Sequence, residues 1–169
     1  MDKEFEDKCM KERMLKVAPT VTIIRQEEEI KSLANHHKNS SEYFLEGARS
    51  LLRSNTPLLA VLLGYFAMEH KSNQLLALKG YKVESHICTQ IALSRIVNRK
   101  DLAKKVSVIF ELRQNIGYRL FLKHNEEERK NAEEIINEDV IVFINEIDNL
   151  IREEQAHEEA SKETSLKEI

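Results

Sequence analysis

The fold is decided by residues 57–80, PLLAVLLGYFAMEHKSNQLLALKG. Thr56 and Pro57 mark a helix start, because a hydroxyl residue favours the N-cap and proline favours the first helical position. The first half of the stretch is apolar on almost every face, which is typical of a helix covered by neighbours on several sides. Gly80 marks its C-terminal end. The stretch therefore predicts a central helix over residues 57–79.

Apolar residues at helical spacing predict further helices on both sides of the central one. The expected helix starts are Thr22, Ser85, Asp101 and Asn125, with a break around residues 36–41 in the first of these helices. Ser85, Asp101 and Asn125 are residue types that favour the N-cap. The chain is therefore expected to be all-α, an up-and-down bundle of four to five helices.

Patterning divides the chain into three parts. Residues 1–40 are expected to form a helical extension, residues 41–152 the bundle, and residues 153–169 an acidic, disordered tail without helical periodicity. The chain has 169 residues, of which 41% are hydrophobic and 33% charged, and this is enough for one domain with a core. It has only four glycines and two prolines, too few for a many-stranded sandwich or barrel.

Two cysteines, Cys9 and Cys88, form no CxxC pair. Neither a disulfide framework nor a cysteine zinc site is expected, and reduced thiols fit best. The longest apolar run, residues 57–68, is far shorter than a membrane span, and the charged start lacks the apolar stretch of a signal peptide. We therefore expect a cytoplasmic protein with no membrane partner.

Charge is unevenly distributed, although the net charge is only −3. Residues 95–123 contain eight basic residues against two acidic ones, and residues 124–169 contain fifteen acidic residues against five basic ones. Solvated helix faces account for most of these residues. A basic segment of this kind can also attract an anionic substrate.

Arg113 lies on the apolar seam of the helix predicted to begin at Asp101. The other seam positions recur at spacings of three and four: Leu102, Val106, Ile109, Ile116 and Leu120. A guanidinium keeps its charge, so placing it on an inward face demands hydrogen-bond partners or a site that uses the charge.

Two motifs in this order resemble the HEPN family (higher eukaryotes and prokaryotes nucleotide-binding), above all its small prokaryotic members. They are GYFAMEHKSNQLLALKGYKVESH, residues 64–86, and ELRQNIGY, residues 111–118. The likeness extends over about residues 43–150. It implies an all-α bundle that forms a homodimer. It also implies a metal-independent ribonuclease, often a toxin paired with a minimal nucleotidyltransferase antitoxin.

The family's catalytic signature is an arginine followed, after four to six residues, by a histidine. Arg113, with the polar Gln114 after it, stands at the family's arginine position, but the residue after four spacers is Tyr118. This resembles the tyrosine-bearing branch of the family, in which the partner transferase can modify the tyrosine with nucleotides. A second match, Arg119 followed after four residues by His124, has the ribonuclease spacing one turn or more downstream.

Metal-independent RNA cleavage needs a base for the 2′-hydroxyl, an acid for the leaving oxygen and a cation for the phosphate. Histidine suits the proton transfers and arginine the phosphate, so Arg113, Arg119 and His124 are candidate catalytic residues, together with Tyr118. Neighbouring polar residues are candidate contacts to RNA, such as tRNA, or to a nucleotide: Gln114, Asn115 and Lys123.

Arg113 and Tyr118 also have structural interpretations. Arg113 could bridge a dimer to Glu69 or another carboxylate, and Tyr118 could be an interface aromatic with a satisfied hydroxyl. The alternative function is therefore a noncatalytic helical dimer that acts as a binding or scaffold module for a nucleotidyltransferase or other partner.

The histidines outside this segment are expected to be structural. His70 lies within the central helix and His86 near the start of the next one. His36 and His37 are adjacent, so on a helix they diverge by roughly 100° and cannot both face one ion. No metal site and no cofactor are expected.

Overall fold

The computed structural model describes residues 9–10, 20–54, 56–118 and 126–167. Its elements in chain order are β1 (Val21–Ile23), α1 (Glu27–Arg53), α2 (Pro57–Leu78), β2 (Tyr81–Val83), α3 (His86–Arg95), α4 (Lys100–Tyr118), α5 (Glu126–Glu134), a π-helical segment (Ile135–Ile141) and α6 (Val142–Lys167). The prediction of an all-α helical bundle is confirmed. Among the described helices, none is both long enough and apolar enough to cross a membrane.

Helix α2 is the central element, as its sequence predicts. It packs against α1, α3, α4, α5, α6, the π-helical segment and β2. Tyr65, Met68 and Leu75 are fully buried on it, in one core cluster with Val106 of α4 and Phe143 of α6. A helix that is apolar on most faces must be covered on most faces, and the fold provides that cover.

A short antiparallel ribbon stands where a helix start at Thr22 was expected. Strand β1 pairs with β2, with Thr22 opposite Lys82, and the backbone N–H of Ile24 donates to the carbonyl of Gly80 at 2.7 Å. Gly80 has φ +82°, a left-handed conformation that glycine adopts without strain, and it turns the chain from α2 into β2. The helix start expected at Thr22 was wrong because Val21–Ile23 pairs with β2 as a strand, and α1 begins at Glu27.

Helix α1 runs without interruption through residues 36–41, so the expected break was wrong. Ser41 faces α2 and donates its hydroxyl hydrogen to the carbonyl of Ala67 at 2.8 Å. His37 and Ser41 are both buried against α2. These contacts satisfy the polar residues that suggested a break, and α1 therefore crosses the boundary expected at residue 40.

Residues beyond Arg152 are helical as far as Lys167, whereas the sequence predicted a disordered tail. Glu154 accepts a hydrogen bond from the Nζ of Lys79 at 2.6 Å, and Ile151 is buried in the main core. Docking of this turn against α2 explains why the helix does not end where its periodicity weakens.

Two of the predicted helix starts are correct, since Thr56 and Ser85 directly precede α2 and α3, and the predicted start at Asn125 lies outside the described residues. Thr56 donates its hydroxyl hydrogen backwards to the carbonyl of Leu51, and neither Thr56 nor Ser85 makes a side-chain cap bond. Asp101 lies inside the first turn of α4, where it forms an ion pair with Arg99 at 2.6 Å.

Cys9 and Cys88 form a disulfide, although the sequence predicted reduced thiols. Both sulfurs are buried in a small core of their own with Val21 and Leu76. The two cysteines are 79 residues apart, so only the tertiary fold brings them together. The bond fastens Cys9 to the first turn of α3.

Candidate functional site

Four ionisable side chains from three helices meet at one edge of α2: Tyr65, Glu69, His86 and Arg113. We call them the carboxylate cluster. Tyr65 and Glu69 lie one helical turn apart on α2 and therefore share a face. His86 is the first residue of α3, and Arg113 lies in the last two turns of α4. The turn through Gly80 and β2 brings α3 back along α2.

A hydrogen bond between His86 and Glu69 organises the cluster. The Nδ1 of His86 bonds to Oε1 of Glu69, and the Tyr65 hydroxyl lies 3.0 Å from the same nitrogen. The opposite nitrogen, Nε2, makes no hydrogen bond with the described residues. The Glu69 side chain is 11% exposed, whereas that of His86 is 41% exposed. A carboxylate thus holds one edge of the imidazole and leaves the other edge open.

The Arg113 guanidinium lies over three aromatic rings. Its central carbon is 5.1 Å from the ring centre of Tyr65, 5.2 Å from that of Phe66 and 5.7 Å from that of Phe110. Distances within about 6 Å are attractive because the ring faces carry negative charge. These contacts explain how the apolar seam of α4 accommodates an arginine, and they hold the planar group beside Tyr65 and Glu69.

Burial and mutual charge determine protonation in the cluster. Burial raises the pKa of Glu69, while the charges of His86 and Arg113 and hydrogen bonds from His86 and Tyr65 oppose that rise. Burial, followed by the negative charge of Glu69, raises the pKa of Tyr65 strongly, and Arg113 opposes it. Tyr65 is therefore a neutral phenol at physiological pH. The cluster offers a fixed cation, a hydrogen-bond donor and a histidine oriented by a carboxyl group.

Only part of the sequence-predicted site falls within the described structure. Arg113 lies in the carboxylate cluster, and Gln114 after it is solvent-exposed. The backbone of Asn115 and Tyr118 forms part of α4, but their side chains lie outside the described part of the structure. Three further candidates also lie outside the described residues: Arg119, Lys123 and His124.

Three members of the cluster were missed as site residues. His86 was interpreted as structural, Glu69 appeared only as a bridging partner for Arg113, and Tyr65 was not considered. The available signal was Tyr65 and Glu69 at i, i+4, where Glu69 is the first charged residue after the apolar first half of the helix. An ionisable pair on one face of such a helix indicates a polar partner from another element.

A second group of side chains, His36, His37 and His70, lies between α1 and α2. We call it the histidine cluster. The Nδ1 atoms of His37 and His70 are 2.9 Å apart, and Phe44 stacks on His70 with ring centres 5.3 Å apart. Burial and the neighbouring histidines lower the pKa of His37 to about 4, and burial lowers that of His70. Within the described ranges, no three His, Cys, Asp or Glu side chains are placed to hold a metal ion.

The chain has no similarity to known proteins from which a function could be read. No family model, no curated protein and no solved structure matches the chain. The geometry of the carboxylate cluster, together with the motif resemblance described above, is therefore the basis for a functional proposal.

Proposed function

We propose that this protein is a metal-independent endoribonuclease of the HEPN type, with His86 and Arg113 at its reaction centre. The observation that supports this most directly is the bond between Glu69 and the Nδ1 of His86, made beside a guanidinium held on aromatic rings. A carboxylate that accepts the Nδ1 proton fixes the tautomer in which Nε2 carries a lone pair. That lone pair is directed away from Glu69 and is free to accept a proton.

In the proposed reaction, Nε2 of His86 accepts the proton of an RNA 2′-hydroxyl. The resulting oxygen nucleophile attacks the adjacent phosphorus, and the bond from phosphorus to the 5′-oxygen breaks. The leaving oxygen takes a proton from a water molecule, and the His86 imidazolium returns its proton to the hydroxide that remains. The products therefore carry a 2′,3′-cyclic phosphate and a 5′-hydroxyl, with no change of oxidation state. Glu69 stabilises the imidazolium that forms during the step.

Arg113 is proposed to bind the phosphate in this reaction. Its planar fork matches two phosphate oxygens, and charge on those oxygens increases as the 2′-oxygen attacks. Because Tyr65, Phe66 and Phe110 already hold the guanidinium, little reorganisation is required when substrate binds. The neutral Tyr65 hydroxyl lies 3.0 Å from Nδ1 of His86, on the edge that Glu69 holds, and helps to fix the imidazole.

RNA, with tRNA as the first candidate, is the proposed substrate, and residues 95–123 supply a basic segment to attract it. The family resemblance adds a homodimer and a minimal nucleotidyltransferase antitoxin to the proposal. Ile87, directly after His86, is 59% exposed, and Val108 on α4 is 54% exposed. Apolar side chains exposed on the two helices that carry His86 and Arg113 are consistent with a protein partner there.

One feature of the carboxylate cluster favours the noncatalytic alternative, a scaffold that binds a nucleotidyltransferase or other partner. Glu69 and His86 bond to each other, and Arg113 has its own ring contacts, so the cluster can be satisfied without a ligand. The enzymatic function requires Nε2 of His86 to contact a substrate, whereas the scaffold function does not.

The deciding experiment is incubation of the purified protein with total tRNA in EDTA. His86→Ala and Arg113→Ala should each lower cleavage by about 10² to 10⁴ fold. The matched controls, His36→Ala and Arg25→Ala, replace exposed residues outside the carboxylate cluster and should cleave as the wild type does. The products should end in 2′,3′-cyclic phosphate, and every variant must first show wild-type melting.

Two other results would count against this site. If folded His86→Ala retained full activity while Arg119→Ala and His124→Ala lost it, the downstream pair would be the reaction centre. If all of these variants and the wild type left RNA intact, with or without a candidate nucleotidyltransferase, the scaffold function would replace the enzymatic one.

A further inference from the structure

A cleft separate from the carboxylate cluster opens between α1, α2 and α6. Its volume is about 520 Å³. Its lining residues include Lys31 and Lys38 from α1, Gln74 from α2, and Asp148 and Arg152 from α6. A volume of this size lies within the range of about 300 to 1,000 Å³ found for small-molecule sites. It shares no lining residue with the carboxylate cluster.

The charges around this cleft favour an anion. Asp148 forms an ion pair at 2.6 Å with Lys71, whose side chain is only 4% exposed, so its negative charge is already compensated. Lys31 pairs with Glu27 at the surface. In the part of the chain that the structure describes, Lys38 and Arg152 have no ion pair with a carboxylate, and Arg152 bonds to an amide oxygen and a backbone carbonyl instead. Positive charge therefore remains uncompensated at the rim.

Carboxamides supply the rest of the polar lining: Asn35, Gln74, Asn145 and Gln155. Gln74 is only 8% exposed, and its Oε1 has no hydrogen-bond partner among the described residues. A buried amide oxygen without a donor is costly, and the hydroxyl of a bound molecule would supply one. Carboxamides both donate and accept, as a hydroxyl group does.

The apolar lining indicates which kind of anion fits. Ala34, Leu78 and Ile151 complete the cleft, and no aromatic ring is among its described lining residues. A nucleobase gains much of its binding energy by stacking on aromatic side chains, and this cleft offers none. A ligand with many hydroxyl groups binds mainly through hydrogen bonds, which the carboxamides of this cleft can form.

We propose that this cleft is a binding site for a sugar phosphate. Lys38 and Arg152, with Lys31 beside them, bind the phosphate, and the carboxamides around Gln74 bind the sugar hydroxyls. The site is independent of the proposed ribonuclease activity, because it uses different residues and a different face of α2.

Isothermal titration calorimetry of the full chain with ribose 5-phosphate tests this site. We expect saturable binding at one site per chain. Inorganic phosphate and free ribose should each bind at least about tenfold more weakly, because each lacks one half of the contacts. AMP should bind no more tightly than ribose 5-phosphate.

Variants localise the binding. Lys38→Glu reverses an exposed charge at the rim, and Gln74→Leu removes the buried amide; each should weaken ribose 5-phosphate binding about tenfold or more. Lys130→Glu makes the same charge change on α5, outside the cleft, and should bind as the wild type does. Lys38→Glu also keeps the test valid if Gln74→Leu does not fold.

The proposal is overturned by any of three results. They are absence of ribose 5-phosphate binding, inorganic phosphate binding as tightly as the sugar phosphate, and AMP binding more tightly. Equal weakening by Lys38→Glu and Lys130→Glu would also overturn it, since the effect would then reflect net charge alone.

Discussion

Glu69 and His70 are neighbours on α2, yet they belong to two different polar groups. Adjacent helical residues point roughly 100° apart, so each faces a different side of the central helix. Glu69 meets His86 and Arg113 in the carboxylate cluster, whereas His70 meets His37 in the histidine cluster. Each group contains a part-buried polar contact to a histidine from another helix.

The partner decides what each histidine can do. His37 is 8% exposed and faces another imidazole, so burial and the neighbouring ring favour its neutral form, with a pKa of about 4. His86 is bonded to a carboxylate on one edge and is open to solvent on the other. A histidine buried against histidine is suited to packing, and a histidine oriented by a carboxylate is suited to proton transfer.

Neutralising the charge of Glu69 on α2 should have the largest effect on catalysis. Glu69→Gln preserves the size of the side chain but removes the negative charge that stabilises protonated His86. We expect single-turnover RNA cleavage to fall by on the order of 10³, or about 4 kcal/mol of transition-state stabilisation. His70→Asn, one residue along, should stay within about threefold of wild type. Equal losses in both variants would mean that the two groups do not differ in function.

Removing the disulfide should destabilise the region around the carboxylate cluster more than the region around the histidine cluster. The bond fastens α3, which carries His86, whereas the histidine cluster lies on α1 and α2. In a Cys9→Ser/Cys88→Ser double variant, the free energy of unfolding by urea should fall by about 4.5 kcal/mol, the loop-closure value for two residues 79 apart in sequence. Hydrogen exchange should increase more in α3 than in α1. A uniform increase would show that the bond stabilises both groups equally.

Acid should destabilise the histidine cluster. In the unfolded chain His37 takes up a proton near pH 6.5, but in the folded chain only near pH 4. Between these values the unfolded state binds more protons, so stability falls as the pH falls. The loss by pH 4 should approach about 3 kcal/mol. His37→Asn should remove most of this pH dependence, and His36→Asn, which removes only the smallest of the three causes, should leave most of it. A wild-type protein equally stable at pH 4 and pH 7 would contradict this.

Tyr65→Phe should produce the smallest effect. It removes a hydroxyl near His86 while retaining the ring beneath Arg113, so cleavage should fall by about fivefold, the value of one neutral hydrogen bond. Tyr43→Phe, at a residue 77% exposed, is the matched control and should have no effect. A loss with Tyr65→Phe as large as that with Glu69→Gln would instead make the phenol essential for proton transfer.

The sequence predicted the features that depend on local pattern. The central helix and its end at Gly80 follow from all-round apolarity and from one glycine, and Arg113 was identified because it interrupts an apolar seam. Contacts between distant segments could not be predicted in this way. Glu69 and His86 meet only because a ribbon turns α3 back along α2, and Cys9 and Cys88 meet only across the folded chain. For the same reason, the helical start expected at Thr22 became a strand.

The π-helical segment between α5 and α6 sets the rotational phase of everything after it. A π-turn accommodates an extra residue relative to an α-turn, so the helix beyond it is rotated by roughly 100° from where an unbroken α-helix would place it. With this phase, Ile147 and Ile151 face the core, while Asp148 reaches Lys71 and Arg152 reaches the cleft. Deleting one residue from Ile135–Ile141 would rotate these faces together by roughly 100°, turning Ile147 and Ile151 out of the core without altering any residue of α6.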